Sequence, residues 1–188
     1  TPKFLEERTS GTKSYFLCDN SSYLLGVDNK TPEKRLKERY EDCKRLHQDI
    51  LQNVDSPAAH AVLAFFQKWD LAQSRSHPAL EEHQKEIFSG VNLVFRYNGS
   101  FVHEDLAVRN AWEEYYNRPT ADSPRTICLV TGQEEPLARL HPSIKGILNG
   151  QTMGNSLVSF NDVADESYGC VKDQGKNAPT GKFATFAY

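Results

Sequence analysis

Between Thr31 and Val54 the apolar residues Leu36, Tyr40, Cys43, Leu46, Ile50 and Val54 recur at spacings of three and four, which predicts one amphipathic helix. Thr31-Pro32-Glu33 opens it with a capping hydroxyl, a proline at the first position and an acid in the first turn. The other face holds Lys34, Arg35, Lys37, Lys44 and Arg45, a solvated face first and a phosphate-contacting one second. Ser56-Pro57 repeats the opening signal, and Ala58 to Trp69 reads as a second helix with Val62, Phe65, Phe66 and Trp69 turned into a core. Ser76-His77-Pro78 begins a shorter helix through Phe88, which Gly90 can end. Ahead of these helices, residues 1–29 mix short apolar runs with Gly11 and Gly26, so short strands or extended segments are expected there.

After Gly90 the period shortens. Val91 to Tyr97 alternates imperfectly, Asn98-Gly99 is a strong two-residue hairpin turn, and Ser100-Phe101-Val102 returns. A helix from Asp105 to Tyr116 packs Val108, Trp112 and Tyr115 or Tyr116, and Pro119 to Pro124 is a loop. A second hairpin is expected from Arg125–Val130, around Thr131-Gly132 and Pro136, into Leu137–Leu140. Leu157 to Phe160 reads as a short strand and Asp162 to Gly169 as a turn or short helix. The expected class is α+β, with short antiparallel hairpins packed on about four helices. One domain over 1–188 is expected, with a mainly helical sub-lobe at 1–90 and a hairpin-and-loop sub-lobe at 91–188.

From His141 to Asn155 the texture changes again. Gly146, Gly150 and Gly154 stand four residues apart, with Asn149, Gln151, Thr152 and Asn155 among them. The segment is far too polar for small-residue packing of membrane helices. A loop whose backbone lies close to something fits it better. Amide side chains carry a donor and an acceptor and can read base edges, while Lys145 can neutralise a phosphate. By chemistry alone the stretch is either an ordinary ordered loop or a DNA-contacting one.

Composition is that of a globular protein, 38% hydrophobic and 25% charged, with ten Phe, eight Tyr and two Trp for a core. No apolar run approaches a membrane span and no signal peptide is recognisable. The chain lacks an initiator Met and closes on the apolar run Phe183 to Tyr188, so a piece of a longer chain is expected. Net charge is −3, unlike a protein that coats nucleic acid unaided. Residues 51–137 carry 7 basic and 12 acidic side chains, whereas residues 138–188 carry 5 and 4. The flanks can therefore tolerate a phosphate-binding edge.

Enzymatic motifs are weak. Cys18, Cys43, Cys128 and Cys170 form no CxxC knuckle, and reduced, mostly buried thiols of a cytoplasmic protein are expected. Gly175 to Phe183 has five residues between its glycines and Phe after the lysine, so it is no phosphate-binding P-loop. The six histidines form no ligand pair at helical spacing, and Gly154 to Val158 is not GxSxG. Asp162, Asp165 and Glu166 could hold a nuclease metal, but a solvated turn is the simpler reading. No catalytic residue, resident metal or cofactor is expected.

Leu137-Ala138-Arg139-Leu140-His141-Pro142-Ser143-Ile144-Lys145-Gly146, Gln151 to Asn161 and Glu166-Ser167-Tyr168-Gly169 together resemble the large subunit of the type I-C CRISPR interference complex, Cascade. Arg8 to Gly11, Phe16 to Asn20, the Arg39–Leu51 helix, Asn177-Ala178-Pro179 and Phe186-Ala187-Tyr188 extend the resemblance along the whole chain in order. It implies the N-terminal half of a longer, cytoplasmic subunit. Such a subunit recognises the protospacer-adjacent motif in foreign duplex DNA and helps open the duplex for the guide. The implied partners are target double-stranded DNA, crRNA, the backbone subunits of Cascade and a recruited helicase-nuclease. Phage anti-CRISPR proteins target complexes of this kind.

Guide pairing then supplies most of the specificity, so a modest basic edge with one amide-rich loop suffices. The expected DNA-binding residues are Lys145, Asn149, Gln151, Asn155, Ser156 and Asn161, with Arg139, Lys176 and Lys182 as further backbone contacts. Members of the family commonly show Gly-Ala where this chain has Asn149-Gly150, and Ser and Ala where it has Met153 and Asn155. A scaffold gripping neighbouring subunits or the guide RNA is the competing expectation. The metal nuclease comes third.

Overall fold

The computed structural model describes residues 12–119, 124–152, 154–159 and 175–187, and the chain divides into two compact units, Thr1–Tyr115 and Tyr116–Tyr188. The fold is mixed helix and strand, with every sheet among the described residues a short antiparallel pair, as the α+β expectation has it. No helix among the described residues is long and apolar enough to cross a membrane.

The first unit is built on two helices, α2 (Glu33–Leu51) and α3 (Pro57–Lys68). A short helix, α1 (Ser21–Leu24), packs on α2 and buries all four of its residues. Leu36, Tyr40, Cys43 and Ile50 are buried on α2, and Val62 and Phe66 on α3, so the predicted stripes face the core. Ser56 caps α3 as predicted, its Oγ accepting from the Ala58 N–H at 3.2 Å. The start of α2 differs from expectation. Pro32 takes the cap position, and the Thr31 hydroxyl instead donates to Asp28 Oδ2 at 2.7 Å. The Asp28 carboxylate, which also accepts the Lys30 and Thr31 N–H groups, captures the hydroxyl first. Those hydrogen bonds and the nearby Arg39 hold the Asp28 carboxyl below its usual range, although burial pushes the other way.

Three further expectations are corrected in this unit. The stretch before α2 is not all extended, because Asn20 Oδ1 accepts the Ser22 N–H at 3.1 Å and starts α1. The single helix expected from Ser76-His77-Pro78 to Phe88 is a 3₁₀ turn, Pro78–His83, and then α4 (Gln84–Phe88), with a further 3₁₀ turn, Leu71–Ser76, ahead of it. The alternating run after Gly90 splits at Phe95. Its first part, β2 (Asn92–Val94), pairs with the distant β1 (Cys18–Asn20), Cys18 opposite Val94. Its second part, β3 (Arg96–Tyr97), pairs with β4 (Ser100–Phe101) around Asn98-Gly99. Both turn residues have positive φ, 47° and 85°, the conformation the Asn-Gly signal predicts. A final helix, α5 (Leu106–Tyr116), is capped by Asp105 Oδ1, which accepts the Val108 N–H at 3.0 Å.

The second unit is poorer in buried apolar groups. Its strands β5 (Arg125–Ile127) and β6 (Glu134–Pro136) pair with Arg125 opposite Pro136. The return strand thus comes earlier than Leu137–Leu140. The Gly132 N–H donates to Cys128 O at 2.8 Å and the Cys128 N–H to Gln133 O at 2.9 Å, closing the loop sooner than the Pro136 signal implied. A segment ending in α6 (Lys182–Ala187) lies along this hairpin. The Leu129 N–H donates to Pro179 O and the Ala138 N–H to Thr180 O, both at 2.9 Å. Burial pushes the Cys128 thiol up, yet the N–H groups of Gly181, Thr131 and Val130 and the Thr131 hydroxyl bring it below its usual value. The Leu157–Phe160 strand is not formed at 157–159. The paired residues are β7 (Ser143–Ile144) and β8 (Asn155–Ser156).

At the centre of the first unit His47 is fully buried on the apolar face of α2. The Leu17 N–H donates to its Nε2 at 3.0 Å, so Nδ1 carries the proton and donates to Cys43 O at 2.7 Å. Burial lowers its pKa to about 4. Because this lies below the unfolded value, the unfolded chain takes up the proton first as pH falls. The stabilisation by neutral His47 is therefore complete above about pH 6.5 and is lost on descent to about pH 4, a decline of roughly 3 kcal/mol. Denaturant titrations at pH 7 and pH 4.5, with His47→Gln alongside to remove the carboxylate contribution common to both, measure it. His47→Gln should be less stable by about 2 kcal/mol at pH 7 and should lose this part of the pH dependence.

Candidate nucleic-acid interface

Two residue pairs of β7 and β8 close the loop that runs from Lys145 to Gly154, with Ser143 opposite Ser156 and Ile144 opposite Asn155. The amide- and glycine-rich stretch is therefore the connection of a hairpin. Two tight turns shape it. The Gly150 N–H donates to Ile147 O at 2.9 Å, and the Gly154 N–H to Gln151 O at 3.0 Å. Asn149, third in the first turn, has φ +62°, a left-handed conformation that Asn tolerates better than other side-chain-bearing residues. Leu148 stands at the corner of the same turn and is 88% exposed.

Gly154 has φ +107°, and a Cβ there would lie 2.7 Å from Ser143 Cβ and 3.2 Å from Lys145 Cγ. The Lys145 stem thus runs against the bare Gly154 backbone, which places the lysine at the root of the loop. Gly150 has a different reason to be glycine. A Cβ there would lie 2.5 Å from Asn155 Nδ2 and 3.1 Å from Ile147 Cβ. Asn155 Oδ1 accepts the Gln151 N–H at 3.3 Å, while its Nδ2 is buried with no hydrogen-bond partner among the described residues.

The expected site residues therefore separate. Lys145, Asn149 and Gln151 are exposed on the loop, whereas the Asn155 amide is folded inward against Gly150 and Gln151. Ser156 pairs its backbone with Ser143 in β8. Asn161 lies outside the described residues, as do Asp162, Asp165 and Glu166. Arg139 and Lys176 are exposed and are brought near one another, since Gly175 lies against the Ala138–Arg139 backbone. Lys182 is partly buried, its Nζ 4.9 Å over the Tyr116 ring.

A signal in the sequence beyond the glycines and amides also marks this region. No acidic side chain occurs between Glu135 and Asp162, in a chain that is otherwise mildly acidic. His141 is half-buried, and burial lowers its pKa, so at pH 7 the positive charge there comes from Arg139 and Lys145. Such a stretch meets a polyanion without local repulsion. The loop offers two exposed amides, a lysine at its root and an aliphatic corner. Among the described residues, no cluster of three His, Cys, Asp or Glu could hold a metal ion.

A family model described as CRISPR-associated protein (Cas_Csd1) matches residues 2–188. No curated protein matches the chain.

Gly154→Ala tests the hairpin itself. A methyl at φ +107° against Ser143 should cost about 1–3 kcal/mol of local stability. Faster amide exchange confined to residues 143–156, with α2 and α3 unchanged, is the expected result.

Proposed function

The chain belongs to the CRISPR-associated Cas_Csd1 family, so its role lies in CRISPR defence, and we propose that it is a non-catalytic, DNA-binding part of a type I-C Cascade large subunit. It recognises the protospacer-adjacent motif in foreign duplex DNA and helps open the duplex beside a crRNA guide. One observation carries this reading: a hairpin loop closed by β7 and β8 holds the Asn149 and Gln151 side chains exposed, in a stretch free of acids. Exposed amides on a braced loop have the donor–acceptor chemistry to read A·T against G·C edges. Lys145 at the loop root supplies a phosphate contact. Arg139 and Lys176 form a second basic strip, with Lys182 a weaker contributor. Guide pairing carries the remaining specificity, which fits a protein of net charge −3.

A second reading rests on the apolar surface of the second unit. Ile127, Leu129, Val130, Leu140, Ile147, Leu148, Leu157 and Phe183 are all exposed large hydrophobics. A surface of that kind suits a scaffold packed against neighbouring subunits.

Binding of guide-matched duplexes with and without the motif, by the assembled complex at two salt concentrations, separates the two readings. Asn149→Ala and Gln151→Ala should each cost on the order of 10- to 100-fold in affinity for the motif-bearing duplex alone. Lys145→Ala should weaken both duplexes alike and flatten the salt dependence. If the Asn149 and Gln151 variants instead fail to assemble while motif preference survives in what does assemble, the scaffold reading wins.

A further inference from the structure

We infer that Asn155 is a positioning residue, coupled to Gly150, that holds the loop in its reading conformation instead of reading bases itself; this rests on the DNA reading of the same loop. Of the three amides flanking the two turns, Asn149 and Gln151 are exposed, and Asn155 is not. Its Oδ1 is engaged by the Gln151 N–H at 3.3 Å. That hydrogen bond spans the second turn, whose ends are also joined by the Gly154 N–H to Gln151 O. Gln151 is thereby anchored at both its N–H and its C=O, which fixes the direction of its side chain relative to β8.

The other half of the Asn155 amide sets the steric condition. Nδ2 is buried and lies where a side chain at position 150 would begin, 2.5 Å from the site of a Cβ. Real Cβ atoms do not approach so closely, so any residue larger than glycine at 150 displaces the Asn155 amide or opens the first turn. Gly150 is not glycine for conformational reasons, since its φ is not in the left-handed region. A side chain there would meet Asn155 Nδ2 first, and Ile147 Cβ and O next. The two positions form one size-matched pair: an amide at 155 needs no methyl at 150. Through that pair Asn155 governs both turns, and with them the placement of Leu148, Asn149 and Gln151.

The pairing makes a prediction that a base-reading Asn155 does not. In the assembled complex, Gly150→Ala should reduce discrimination for the motif-bearing duplex roughly tenfold. Adding Asn155→Ala should restore part of it, because the methyl then enters the space the amide leaves while the hydrogen bond to the Gln151 N–H stays lost. The neighbours that remain for that methyl are Ile147 Cβ and O at 3.1 Å. Amide exchange provides a readout independent of DNA: the Gln151 N–H should exchange faster in Asn155→Ala than in the parent. A double variant no better than Gly150→Ala would overturn the inference. So would Asn155→Ala that erases discrimination as fully as Gln151→Ala with Gln151 exchange unchanged. Should Gln151→Ala leave discrimination intact, the DNA reading fails instead, and the exchange measurement still decides whether Asn155 holds the loop.

Discussion

The first unit depends on one buried imidazole. His47 accepts the Leu17 N–H while donating to Cys43 one turn back on its own helix, so it fastens the incoming chain to α2 by a single ring. Leu17 sits at φ +59°, a conformation costly for a γ-branched residue and kept only where the surroundings over-determine it. That kink sends the chain from Phe16 into β1, and everything placed by β1 follows from it. Phe16, Phe66 and Phe95 surround the imidazole at ring separations of 4.8–5.9 Å. Phe16 in turn stacks on Trp112 of α5 at 5.1 Å. A neutral ring with both nitrogens satisfied meets this apolar cage at little cost; a charged one would not.

The second unit holds together by other means. Its buried hydrophobics among the described residues are Cys128, Leu137, Ala138 and Ala184, too few for a core of the first unit's kind. Backbone hydrogen bonds do the joining instead, between 128–138 and 175–181, with an isolated bridge from Leu137 to Gly181. Glu135 packs so closely on Gly181 that any side chain there would collide with its carboxylate. Large apolar side chains are left on the surface of this unit.

Much of this was legible in the residues where the signal is local. The α2 and α3 stripes, the Ser56 cap and the Asn98-Gly99 turn each depend on a few neighbouring positions, and each formed as read. Pairing of β1 with β2 could not be read in this way, since it joins residues more than seventy positions apart through strands of three residues. The hairpin under the amide loop was invisible for a related reason: two residues per strand leave no alternation to detect. His47 was readable in principle. It falls on the stripe between Cys43 and Ile50, and a polar residue on an apolar helix face asks for a partner. The partner, a backbone N–H thirty residues away, was beyond any local pattern.

The glycine ladder at 146, 150 and 154 looked like one motif and is three separate solutions. Gly146 and Gly154 answer to positive φ, and Gly154 also to the approach of Ser143 and Lys145. Gly150 answers to Asn155 alone among side-chain amides. In the folded loop positions 150 and 155 touch, so the missing methyl at one leaves room for the amide at the other. Read separately, they were a glycine for close backbone approach and a base-reading amide. Read together, they are one fit of volume that leaves the loop closed, with the Asn149 side chain exposed beside it.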